Sequence, residues 1–208
     1  MIFVTVGAQM PFDRLVRTVD AWAGERPEHQ VLAQIGTTGY KPMHLHWTDR
    51  LDTAAFRRCL FEADLVVTHA GMGTILSALE LGKPTIVMPR RGHLRETRND
   101  HQLSTAQTLA AEDRVAIAWD ERELRDRLES MVEVAPPPPV PSHASSELLA
   151  ALSQFIRDGS VAPIPTADLA QDDSSLHPIA RLPGRDQPIP PRVLPPATIR
   201  GLRFRSAA

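Results

Sequence analysis

The sequence is short of cysteine, of lysine, of aromatic residues and of long apolar runs. Its single cysteine, Cys59, excludes an intramolecular disulfide framework and any cysteine-rich zinc site, and it fits a reducing compartment. Lysine occurs only at Lys41 and Lys83, the other basic residues being arginine, which reads as genome composition rather than function. The formal net charge of -2 argues against a polyanion binder, so no nucleic-acid partner is expected. No stretch approaches the roughly 20 apolar residues of a membrane-spanning helix. The opening Met1-Ile-Phe-Val-Thr-Val-Gly7 has no basic leader and too short an apolar run for a signal segment. A cytoplasmic chain is expected, with membrane contact made through a partner or a surface patch.

What is present suffices for one sizeable core: 208 residues, 42% of them hydrophobic. Proline marks the divisions. Of 19 prolines, five lie in Pro136 to Pro141 and nine between Pro163 and Pro196. Pro136-Pro-Pro-Pro-Val-Pro141 lacks amide donors and has fixed φ, so 136–144 reads as a stiff linker. Leu148, Leu149, Leu152, Phe155 and Ile156 then repeat at helical spacing, which predicts a helix over 145–159. Residues 160–208 are polar and proline-rich and read as a largely disordered tail. Six arginines between Arg181 and Arg205 face one acid there, Asp186, a solvated tail or a weak contact with anionic lipid or a partner.

Residues 1–135 alternate. Short apolar runs at 2–6, 30–35, 44–48, 64–68, 85–88 and 115–118 predict strands. The segments 12–22, 53–62, 72–81, 102–111 and 121–132 predict helices. Strand–helix alternation of this kind is the pattern of an α/β, Rossmann-like domain with a parallel sheet covered on both faces. Such sheets bind ligands at the carboxyl ends of their strands. The loops after Val6, Ile35, Thr68 and Met88 are therefore where chemistry is expected.

His69-Ala70-Gly71-Met72-Gly73-Thr74 is the densest of these. It follows a strand and opens a helix, its glycines permit close backbone approach, and a helix start offers free amides to a diphosphate. The alternative is a tight turn with no ligand. The segment is neither Gly-x-Gly-x-x-Gly, since Leu76 stands at the third glycine, nor a Walker loop. The loop Pro89 to Gln102 carries Arg90, Arg91, His93, Arg95 and Arg98 before Asn99-Asp100-His101-Gln102. Its arginines suit phosphate, and Asn99, Asp100 and Gln102 suit sugar hydroxyls. Equally, Asn99 or Asp100 can cap the following helix. The third loop, Gly7 to Asp13, can close over a bound group. His44 and His46 share one side of a strand but lack a third ligand, so no metal site is expected.

The run Phe3-Val-Thr-Val-Gly7, then Pro11-Phe-Asp-Arg-Leu15, Gln34-Ile-Gly36, Tyr40-Lys-Pro42, His69 to Thr74, Gly82-Lys-Pro84, Met88-Pro-Arg-Arg91 and Arg98-Asn-Asp-His-Gln102 resembles one family in order and spacing. It is the family of small soluble donor-binding subunits of two-component glycosyltransferases. These match the carboxy-terminal half of MurG-like GT-B enzymes, and the likeness is strongest to exopolysaccharide subunits of the PssE type. The resemblance covers roughly residues 1–135. It implies a hexosyltransferase of polysaccharide biosynthesis that binds a nucleotide sugar, a UDP-sugar by preference, with no metal and no further cofactor. By position, His69 to Thr74 would hold the diphosphate, Asp100 and Gln102 the donor sugar, and Gly7 would lie near the phosphates or the reacting centre. Many GT-B enzymes place a ribose-binding glutamate where this chain has Ser77; Glu80 lies one turn later. Thr97 likewise stands where a histidine is expected. No catalytic base is assigned.

The same resemblance implies that the acceptor half is a membrane-anchored partner holding a lipid-linked saccharide at the inner face of the membrane. The chain would then be active only with that subunit. Two other readings remain: a catalytically inactive nucleotide-sugar-binding module that regulates a partner, and an enzyme related to nucleotide-sugar epimerases.

Overall fold

The computed structural model describes residues 1–111, 114–131, 137–141, 143–158 and 205. Six parallel strands form one sheet in the order β3-β2-β1-β4-β5-β6. They are β1 (Ile2–Thr5), β2 (Val31–Gln34), β3 (His46–Thr48), β4 (Leu65–His69), β5 (Thr85–Met88) and β6 (Ala116–Ile117). The helices are α1 (Asp13–Glu25), α2 (Thr53–Glu62), α3 (Met72–Glu80), α4 (His101–Ala111), α5 (Glu121–Met131) and α6 (Ser146–Asp158). A short 3-10 turn, Gly92–Leu94, interrupts the β5–α4 loop.

Strand order reverses between β1 and β4, which pair in register from Ile2↔Leu65 to Thr5↔Thr68. A reversal of this kind leaves a crevice outside the carboxyl ends of the two strands, because their following helices leave on opposite faces. Side-chain alternation along β1 shows the two faces. Ile2 and Val4 join the core under α1 and α5, with Leu15, Trp22, Leu124 and Leu128. Phe3 points the other way, to Cys59 and Leu60 of α2 and Ala78 of α3. A third cluster joins Ile75 and Leu79 of α3 to Val87, Ile117 and Leu109. Each fully buried Phe, Leu or Ile in these layers contributes about 1.5–3 kcal/mol relative to exposure.

α1 runs three residues beyond the segment its apolar spacing predicts. Gly24, within that extension, lies against His44: a β-carbon there would sit 2.8 Å from His44 Cδ2. The buried carboxylate of Asp20 fixes the same loop by accepting from the amides of Met43 and His44 and from the Tyr40 hydroxyl.

The proline segment is more than a spacer. Val140 N donates to Leu79 O at 3.0 Å, and Pro137 O and Pro139 lie against Gly82 (φ +61), so 137–140 packs across the end of α3. The first compact unit accordingly extends through Val140. α6 belongs to a second unit and carries Leu148, Leu149, Leu152, Phe155 and Ile156 as exposed side chains. The expectation of a disordered 160–208 lies outside the described residues except at Arg205. That residue forms an antiparallel bridge with Trp47 on the outer edge of β3. Among the described residues no helix is long and apolar enough to cross a membrane.

Candidate functional site

Three loops meet at the crevice between β1 and β4. The β4–α3 turn is its floor. Gly71 is the N-cap of α3, in extended conformation, and no side chain caps the helix. Thr74 N and Ile75 N both return to Gly71 O. The amides of Met72 and Gly73 lead the helix and have no intrahelical partner. α2 differs: Asp52 caps it through Ala55 N at 2.8 Å. The first turn of α3 also lacks an acidic residue, so no side chain of that turn offsets the positive end of its dipole. Among the described residues, and apart from Gly73's chain neighbours and the backbone of α3 itself, nothing lies within 4 Å of the position a β-carbon on Gly73 would take. The first turn of α3 is therefore open on the Gly73 side, and free helix-start amides of this kind are the groups that bind anions.

His69 ends β4, and its imidazole is wedged between two glycines. A β-carbon on Gly7 would lie 2.7 Å from Cε1, and one on Gly71 only 2.3 Å from Nε2. Gly7 itself has φ 76 and donates its amide to Thr5 Oγ1 at 3.2 Å. Burial first, then the Arg90 guanidinium and to a lesser degree His101, hold the His69 pKa down at about 4, against a hydrogen bond to the Thr5 main chain that raises it. The ring is thus uncharged at neutral pH. Any diphosphate here would meet a neutral hydrogen-bonding ring and the α3 amides rather than an imidazolium.

The β5–α4 loop forms the far wall, and it is held differently from what its sequence suggests. Arg90 does not face solvent to meet phosphate. It is 4% exposed and donates through Nη2 to Val6 O at 2.7 Å and to Met10 O, tying β5 to the β1–α1 loop. Arg91 also turns inward, donating to Trp119 O. Glu96 receives Arg14 in a two-pronged pair at 2.7 and 2.9 Å and accepts from Arg91 N, fixing the loop to α1. His93, Arg95 and Arg98 are the exposed basic residues of this loop.

Asp100 accepts from Gly92 N at 2.7 Å and is otherwise exposed; its carbonyl receives Leu103 N at the start of α4. Asn99 Oδ1 accepts from His101 N at 3.4 Å and contacts His101 Nδ1. Gln102 is buried, its Oε1 accepting from Arg90 N at 3.2 Å. Ser77 donates to Gly73 O at 2.8 Å, while Glu80 is exposed one turn further along α3. Ala70 is buried in the core beneath the turn, Met72 is half exposed and Thr74 is partly buried. Sequence reasoning thus placed Gly7, His69 to Thr74 and the Asn99–Gln102 run on converging loops. It missed the inward turn of Arg90 and Arg91 and the loop anchors Arg14 and Glu96. Among the described residues no group of three or more His, Cys, Asp or Glu is arranged to hold a metal.

Fold and crevice together define a Rossmann-like domain with an uncapped helix start at the switch point. The chain belongs to the glycosyltransferase family 28 C-terminal domain family, whose profile matches residues 1–152. It is similar to the human UDP-N-acetylglucosamine transferase subunit ALG13, with 34% identity over 121 residues, 53% of this chain. It spans only 10% of the length of that protein. Among solved structures it is similar to ALG13 in solution (24% identity, 75% of this chain and 92% of that one, TM-score 0.47). It is also similar to MurG of Acinetobacter baumannii (19% identity, 64% and 41%, TM-score 0.46).

Proposed function

We propose that this chain is the donor-binding, catalytic subunit of a two-component glycosyltransferase. It takes a nucleotide sugar, of the UDP-sugar class, and transfers the sugar to a lipid-linked acceptor in polysaccharide biosynthesis. The observation that carries this reading is the uncapped start of α3, which opens onto free space at Gly73 beside a neutral, immobilised His69. The diphosphate lies against the Met72 and Gly73 amides with the Thr74 hydroxyl nearby. There the helix dipole offsets the charge that grows on the leaving diphosphate, with no metal required. Asp100, which keeps one carboxylate oxygen beyond its bond to Gly92, and Gln102 border the place of the sugar. The Ser77 hydroxyl is engaged by Gly73 O, so Glu80 is the residue left on that face of α3 for ribose. The similarity to a protein named as a transferase subunit supports both the donor class and the two-component arrangement.

A two-substrate transfer needs donor and acceptor held in a near-attack arrangement. One sheet with one set of carboxyl-end loops serves the donor; a membrane-anchored partner brings the acceptor and recruits the chain to the membrane's inner face. The test is reconstitution. The purified chain alone transfers no sugar to a lipid-linked acceptor, and co-expression with its acceptor-binding partner restores transfer. Robust transfer by the lone chain contradicts the two-component reading. Nucleotide binding without transfer in any reconstituted pair favours the regulatory module instead.

A further inference from the structure

Arg90 reaches the main chain of the β1–α1 loop from the opposite wall of the crevice. It is 4% exposed, yet among the described residues no carboxylate forms an ion pair with it. The nearest acid in its field, Glu96, is already bound by Arg14 and by Arg91 N. Its Nη2 serves two carbonyls, Val6 O and Met10 O, while its Nε has no hydrogen-bond partner. Phe12 lies 5.3 Å from the guanidinium carbon and gives only a weak, quadrupolar compensation. A buried and unpaired charge is costly to a fold and is retained where something else neutralises it. Its charge reaches the His69 ring at the end of β4, and that ring packs against Gly71 at the start of α3. The neutral ring supplies no counter-charge, whereas an anion bound at the helix start would.

We propose that Arg90 is the positioning residue of the donor site: it holds the β1–α1 loop across the strand ends and supplies the buried positive charge that an incoming diphosphate neutralises. This rests on the donor-binding reading of the same crevice. Arg90 N is also the partner of Gln102 Oε1. One residue therefore links the wall assigned to the sugar with the loop that carries Gly7, against which His69 is packed. Filling either end of the donor bears on the same residue, at its amide on the sugar side and at its guanidinium on the loop side.

The experiment compares Arg90→Lys, which keeps a charge, with Arg90→Gln, which keeps an N–H donor without charge. Calorimetry at pH 6.5 measures uridine diphosphate against uridine, and NMR follows the His69 imidazole between pH 7.5 and 4. Arg90→Gln should weaken uridine diphosphate at least about tenfold while leaving uridine within about twofold, and Arg90→Lys should retain most of the diphosphate affinity. His69 should titrate at higher pH in Arg90→Gln than in the wild type, a change that loss of a loop contact alone does not produce. Equal losses in both variants, or equal losses for diphosphate and uridine, overturn the charge role. Wild-type affinity in Arg90→Gln overturns the whole proposal. If the wild type binds no uridine diphosphate, the donor reading fails, and an unmoved His69 titration in Arg90→Gln then overturns the Arg90 proposal on its own.

Discussion

The imidazole of His69 fills the space in which a side chain on Gly71 would lie, its Nε2 standing 2.3 Å from that position. Around the same position on Gly73, two residues on, the described residues beyond its chain neighbours and the α3 backbone leave open space. The two glycines of one turn therefore do different work. The first admits a neighbouring ring, and the second leaves room in front of the helix.

Gly71→Ala should accordingly damage the fold. The ring has Gly7 on its other side and cannot retreat without shifting the β1–α1 loop. Overpacking of this sort costs about 1–3 kcal/mol. Urea denaturation measures it; an unchanged midpoint would show that His69 swings away freely.

Gly73→Ala should do the reverse to stability. The position lies inside α3 with open space around it, so alanine gains roughly 0.5–1 kcal/mol through helix propensity. Thermal melting reads the gain, and a variant less stable than the wild type contradicts the open geometry.

Most of the fold was legible in the sequence because its strands are short, apolar and bounded by turn residues, so length and flanking residues separate them from the periodic helices. The places of Gly7 and His69 at strand ends, and of the 99–102 run at the entry to α4, were legible from the same alternation. The inward course of Arg90 was not. Its partners, Val6 O and Met10 O, are main-chain atoms some 80 positions earlier, and carbonyls leave no mark on a sequence. Nor could the text distinguish Gly71 from Gly73, since the difference depends on where the His69 ring turns. The packing of Pro139 on Gly82 was hidden for a similar reason: a proline run looks the same whether it is free or docked.

The His69 pKa gives stability a pH dependence of fixed sign. The ordinary value is 6.5 and the folded value about 4. As pH falls through 6.5 the unfolded chain takes up a proton that the folded chain refuses. Stability present above pH 6.5 is thus lost progressively down to about pH 4, by about 3 kcal/mol from this group. Denaturant unfolding at pH 7 and pH 4.5 checks it. His69→Gln should lose less stability between the two than the wild type; an equal loss would assign the acid sensitivity to other groups.

The Trp47–Arg205 bridge should be nearly neutral for stability. Two reciprocal main-chain bonds of 2.9 and 2.8 Å and a guanidinium 5.2 Å from the indole are worth about 3 kcal/mol together. Ordering Arg205 costs a similar amount, about 1–2 kcal/mol for its backbone and up to about 2 kcal/mol for its side chain. Removal of 160–208 should leave Tm within a few degrees but shift the fluorescence of Trp47. A fall of many degrees would show that the tail contributes far more than this bridge.

Calorimetric titration of the purified chain with uridine diphosphate, with EDTA and without, and in Gly73→Val beside the wild type, tests the central claim most directly. A branched side chain at Gly73 enters the open space before the Met72 and Gly73 amides without meeting protein atoms at its β-carbon. The account predicts weak binding to the wild type that EDTA does not change, and at least a tenfold loss in a folded Gly73→Val protein. Undiminished affinity in the folded variant, or binding abolished by EDTA, would contradict a metal-free diphosphate site at the start of α3.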